Sequence, residues 1–218
     1  MPDSFPVSDR TRLVREANRA VYDRSAIYKI LDEAFVCHVG FTDSAGQPLV
    51  IPTMFARVND FLYFHGSAAS RMLRGLVSGL PVCITVTLTD GLVLARSVFN
   101  HSMNYRSVVA IGKATLMEEP AEKLEALRAF TEKLIPGRWN DARQPNEKEL
   151  KATSILKLPL TEVSAKVRVG DVEDDAPDYE LPVWAGVIPL HLVAEAPLRD
   201  SRCDASIPTP DYVLHYRR

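Results

Sequence analysis

The chain has 218 residues, 46% of them hydrophobic and 25% charged, with a formal net charge of −2. That length and mix suit one compact globular domain, and the near-neutral charge offers no electrostatic reason to expect nucleic acid or an anionic membrane as a partner. Three scattered cysteines, Cys37, Cys83 and Cys203, with no CxxC pair, indicate neither a disulfide framework nor a zinc site; reduced thiols are expected. The start lacks the apolar core of a signal peptide and no apolar run is long enough to cross a bilayer, so a cytoplasmic location is expected.

Residues 1–21 are polar and basic, with Arg10, Arg12, Arg15 and Arg19, and read as a solvated arm or, as a second reading, an arm that orders against something else. Asp23 can cap a helix running to about residue 34, with Ile27, Ile30, Leu31 and Ala34 on one face. Strands are expected over 35–41 and 49–58, joined by a turn at Asp43, Ser44 and Gly46. Pro52 removes a ladder donor, which predicts an edge position or a bulge. Asn59-Asp60 turns the chain into the strand Phe61 to Phe64, which ends at His65-Gly66-Ser67.

There Ser67 is a natural cap for a helix over 67–79, with Met72, Leu73, Leu76 and Val77 on one side. A strand that stops at glycine and feeds a capped helix leaves backbone N–H groups unpaired, and Arg71 follows one turn on. That is a seat for a phosphate, or an ordinary turn whose serine only caps the helix. Alternation from Val82 to Thr89 predicts a two-faced barrel strand, turned at Asp90-Gly91 and continued over 92–95. A polar, aromatic patch follows, then a strand over about 105–116. Pro120 opens a helix over 121–134, and a second helical stretch at 146–153 leads into one strand from Ser154 to Gly170. An acidic link precedes a last strand near Trp184, and 199–218 is an irregular tail. Strands in hairpin succession with few crossovers argue for a mainly β fold, an antiparallel barrel of six or seven strands with peripheral helices over 22–198.

The succession YDRSAIYKILDEAFVCHVGF, QPLVIPTMFARVNDFLYFHGSAASRML, PVCITVTLTDGLVLARS and HSMNYRSVV resembles the flavin-nucleotide-binding branch of the pyridoxamine 5′-phosphate oxidase-like superfamily, which includes the nitroimidazole-resistance reductases. The resemblance implies a split β-barrel homodimer with FMN in clefts at the subunit interface. Residue by residue, it places the cofactor strand on Val50, Ile51, Pro52 and Thr53, whose backbone would face the flavin. It places the phosphate turn and helix on His65, Gly66, Ser67, Ser70, Arg71 and Met72. Asn104, Tyr105, Arg106 and Ser107 open a strand that, in the oxidases, reaches the other subunit's flavin, and Trp184 matches the tryptophan of their Trp-Gly-Gly segment. The oxidases' final arginine-leucine-histidine segment has no match at its proper place, which counts against vitamin B6 oxidation.

His38, mid-strand, is a candidate proton donor or ligand, because a histidine on this strand is associated with the active site in the nitroimidazole-resistance relatives; a plain strand-face histidine is the other reading. Arg96 and Arg106 could neutralise an anion or make surface ion pairs. There is no nucleophile elbow, HExxH or Walker loop, so an enzymatic role would need a cofactor to carry the difficult chemistry. The resulting expectation is an FMN-dependent oxidoreductase reducing a small organic compound with a nicotinamide donor. The alternative is a carrier of flavin, haem or deazaflavin without turnover, and pyridoxamine phosphate oxidation ranks last.

Overall fold

Ten strands and six helices make up the described residues, 2–217, of the computed structural model. The strands are β1 (Ala20–Val21), β2 (Val36–Thr42), β3 (Pro48–Val58), β4 (Phe61–Ser67), β5 (Pro81–Leu94), β6 (Ser102–Lys113), β7 (Thr115–Leu116), β8 (Thr153–Pro159), β9 (Glu162–Arg168) and β10 (Gly186–Pro189). The helices are α1 (Arg24–Glu33), α2 (Arg71–Val77), α3 (Pro120–Leu134), α4 (Arg138–Asp141), α5 (Glu147–Ala152) and α6 (Asp211–Leu214). Asp23 caps α1 as expected, its carboxylate accepting from the Ala26 N–H at 2.8 Å, and Ile27, Ile30 and Leu31 are buried beneath it.

The strand order is β1-β9-β6-β5-β2-β3-β4-β8-β7, with β10 added to β5, and every pairing is antiparallel. β8 and β9 lie near opposite ends of that order, yet only Leu160 and Thr161 separate them in sequence. So short a link requires the sheet to curl until its two ends meet. No ladder joins β8 to β9, so the barrel is split rather than closed. Inside, Phe55, Leu62, Phe64, Leu156 and Leu158 from one half meet Val39, Ile84, Val86, Val108 and Val163 from the other. Each such side chain contributes about 1.5–3 kcal/mol by leaving water. A second, smaller cluster of Ala56, Met117, Ala126, Phe130 and Ile155 fastens α3 to the outside of β3 and β8.

Several expectations change. The arm is not merely solvated: Phe5 is buried in the main core, and its N–H donates to the Tyr22 carbonyl. The helix expected over 67–79 is α2, shorter at both ends, because Ser67 stays in β4 opposite Thr153 and Ser70 does the capping. Asp90-Gly91 is not a turn. β5 runs straight through it with a register shift against β6, a bulge that absorbs the extra residue. The single strand expected from 154 to 170 is two, because Pro159 ends one ladder and the chain crosses to the other end of the sheet. The last strand is only β10.

Candidate cofactor site

β3 and β4 part company in a way that exposes backbone. Their ladder covers only Phe55↔Phe64 to Val58↔Phe61, after which β3 stays with β2 and β4 stays with β8. The flank of β3 over residues 48–54 therefore has no strand beside it, and Pro52 sits in that flank, opposite His38 with no bulge. The edge position expected of the proline holds, and Val50, Ile51 and Thr53 offer main-chain groups that the sheet leaves unused.

At the far side of the fork, Ser67 ends β4 and its hydroxyl accepts from the Ala69 N–H at 3.2 Å, while Ser70 Oγ accepts from Leu73 at 3.5 Å. Arg71 follows, exposed and with no side-chain hydrogen bond or ion pair among the described residues. Gly66 is close-fitted: a Cβ there would stand 3.1 Å from the Leu73 side chain. Met72, on the same helix, is instead a core residue at 6% exposure.

The outward face of β2, β3 and β5 carries a cross-strand row, Pro52, His38 and Thr85, ending next to Val109 of β6. His38 is exposed in that row, and Val36 and Val50 stand on the same face, Val50 at 65% exposure. The expected patch at the start of β6 is mostly engaged within the chain. Asn104 is buried, donating to the Gly170 carbonyl at 2.9 Å and accepting from Arg168 at 2.6 Å. Arg106 binds Asp90 and Glu33 together, and those hydrogen bonds, Asp90's foremost, raise its pKa. Ser107 donates to the Lys166 carbonyl at 3.2 Å, and Tyr105 is half-buried. Arg96 pairs with Asp174. Trp184 is 68% exposed, its ring lying over Gly186 as β10 begins.

His65, expected beside the turn and helix of a phosphate site, packs on α3 instead. Inward Phe64 forces its neighbour outward, where the imidazole meets the Phe130 ring at 4.4 Å between centroids and 57° between planes. It borders a cavity of about 480 Å³ between the sheet and α3–α5, with Met54, Leu127, Leu134 and Trp139 among its lining. Its Nδ1 is buried without a hydrogen-bond partner, and burial lowers its pKa. This cavity was not legible beforehand; the available signal was the alternation that puts His65 opposite in sense to Phe64. Among the described residues no cluster of His, Cys, Asp and Glu could hold a bare metal ion, and no helix is long and apolar enough to cross a membrane.

A family model described as pyridoxamine 5′-phosphate oxidase matches residues 23–167. This chain belongs to that family. Within the pyridoxamine 5′-phosphate oxidase family it resembles two solved structures over nearly its whole length. The flavocytochrome Anf3 from Azotobacter vinelandii is 42% identical, with 96% of this chain and 97% of that one covered and a TM-score of 0.91. A FAD and heme binding protein from Mycobacterium smegmatis is 35% identical over 89% of this chain and 95% of its own, at a TM-score of 0.86. A 5-nitroimidazole antibiotic resistance protein from Bacteroides thetaiotaomicron is 28% identical over 68% and 86%, at 0.58. No curated protein matches the chain. The split-barrel fold and the family resemblance read from the sequence are both borne out.

Proposed function

We propose that this protein is a two-cofactor oxidoreductase, binding a flavin at the β3–β4 fork and a haem elsewhere on the same subunit, and that it works as a homodimer. The observation that carries the reading is the whole-length similarity, at 42% identity, to a protein named a flavocytochrome. The protein named for FAD and heme, 35% identical, favours the dinucleotide over the FMN expected from sequence.

The residues present fit a flavin. Residues 50–53 offer unpaired main-chain groups to the ring, and Ser67, Ser70 and the unpaired Arg71 suit a phosphate. A bound flavin would supply electron or hydride transfer at its ring, and haem one-electron chemistry at its iron. The chain's part is to bind, orient and neutralise. Main-chain N–H groups of Val50, Ile51 and Thr53 would face the flavin ring, where they would favour negative charge, and Arg71 would hold the phosphate end. His38, exposed opposite Pro52, would hold or pass a proton on that face. Arg106, saturated by Asp90 and Glu33, orders the start of β6 instead of neutralising a ligand.

The test begins with the visible spectrum of the purified protein, where flavin and haem absorb differently, and with chromatography of the released flavin. FAD supports the dinucleotide, and FMN restores the mononucleotide. NADH or NADPH added without oxygen, and then other electron donors, should bleach the flavin band. No bleaching with any donor would favour a carrier. Hydrogen peroxide and pyridoxal phosphate formed from pyridoxamine phosphate under air would reinstate the vitamin B6 reaction.

A further inference from the structure

We infer that His65 is the chain's ligand to the haem iron, in the cavity between the sheet and α3–α5. The inference rests on the proposal above that a haem is bound, and it adds where and through which atom.

Haem iron is held by a neutral imidazole, a thiolate, a methionine sulfur or a tyrosinate; no tyrosine lines this cavity, and Met54, its one methionine, is a weaker donor than an imidazole. Five histidines and three cysteines are available. His101 and His215 spend Nδ1 on the carbonyls of Ser97 and Asp211, and both rings lie at the surface. His38 and His191 are exposed, one on the open sheet face and one on an extended segment. Cys37 is buried in the core, where desolvation pushes its thiol up to about 12, so it stays protonated. Cys203 is exposed in the tail, and Cys83 faces out of the sheet beside Gly40.

His65 differs from all of these. Its ring is held against Phe130 and its Nδ1 is shut away from water, which leaves Nε2 as the nitrogen open to the cavity. Desolvation keeps the imidazole neutral at ordinary pH, the state that can donate a lone pair. The cavity, at about 480 Å³, lies in the range of roughly 300–1,000 Å³ typical of cofactor sites. Its walls supply what a porphyrin ring needs in Met54, Leu127, Phe130 and Trp139, while the polar side is closed by Arg143 paired with Glu149. Met54 precedes Phe55, whose partner is Phe64, so it lies beside His65 across the fork and packs the same wall.

The full chain, expressed with haem precursor or titrated with hemin, should show a Soret band with one haem per chain. His65→Ala should lower haem content at least tenfold while flavin content and circular dichroism stay as in the wild type. In His65→Gly, added imidazole should restore the wild-type Soret position. If His65→Ala disturbs folding, the shape-conserving His65→Gln serves, read by a shifted Soret band and altered iron spin state in electron paramagnetic resonance. A wild-type spectrum and stoichiometry in His65→Ala or His65→Gln would overturn the inference while leaving the haem proposal standing, as would loss of the band in His38→Ala or His191→Ala alone. A wild-type chain that takes up no hemin would overturn the haem proposal itself. Loss of flavin with haem retained in the His65 variants would assign this cavity to the flavin.

Discussion

Arg71 and Arg106 bring the same guanidinium to opposite circumstances. Arg106 is held by two carboxylates and has little left to offer a ligand, whereas Arg71 leaves the barrel at the head of α2 with its charge unspent. Arg71→Ala should weaken flavin binding by about 1.5–3 kcal/mol, the worth of a hydrogen bond to a charged group. Fluorescence titration of the apoprotein checks it, and unchanged affinity would remove Arg71 from the site. His65 makes a second prediction through pH. Its folded pKa lies below the ordinary 6.5 because burial penalises the cation, so the unfolded chain binds the proton more readily than the folded one. Stability of the haem-free protein should therefore be fully present above about pH 6.5 and fall as pH drops below it, and His65→Gln should flatten that slope in urea titrations. Equal slopes in wild type and variant would mean that His65 does not titrate differently on folding. At this scale the sequence was informative about residue type and blind to pairing: Asn104 and Arg106 looked like ligand-facing groups because Gly170, Arg168 and Glu33, which occupy them, lie far away along the chain.

Among the elements, the fork between β3 and β4 matters most. Its hairpin was legible from Asn59-Asp60, where Asn59 adopts a φ of 50° in a two-residue turn. The parting of the strands was not, since it depends on β4 leaving with β8, which is contributed almost ninety residues later. Pro52 fits both facts, because the half of β3 that contains it has one neighbour only. The β5 bulge sets another boundary. Beyond Thr89, β5 takes β10 on the flank that β2 has left, and a Cβ on Gly91 would stand 3.1 Å from the Ile188 carbonyl oxygen. Gly91→Val should thus push β10 off β5 and alter the surroundings of Trp184, which lies just ahead of it. Limited proteolysis should then cut within 180–190, together with a shift in tryptophan emission; a wild-type digest would show that β10 tolerates the side chain.

Among the described residues, several large apolar side chains stand in water side by side along the chain. Val98 and Phe99 are 89% and 91% exposed, and Leu192, Val193 and Leu198 lie on a segment with no regular structure. Large exposed apolar residues of this kind mark interaction surfaces, which agrees with the proposed homodimer. Sedimentation should give twice the chain mass, and Val50→Asp, on the open face of β3, should yield monomers that no longer retain flavin. A wild-type monomer that binds flavin at full affinity would contradict the dimeric reading.

What the sequence determined by itself was local: the cap at Asp23, the alternation of the strands, the hairpin at Asn59-Asp60 and the small-residue turn before Arg71. These follow from backbone sterics and short-range hydrogen bonds, which neighbouring residues set among themselves. Only the tertiary structure decided that Phe5 joins the core, that the strand expected over 154–170 breaks in two to bring the sheet's ends together, and that His65 faces a cavity under α3. Each of those depends on surfaces meeting across long stretches of chain, where burial outweighs local preference and no nearby residue announces the partner.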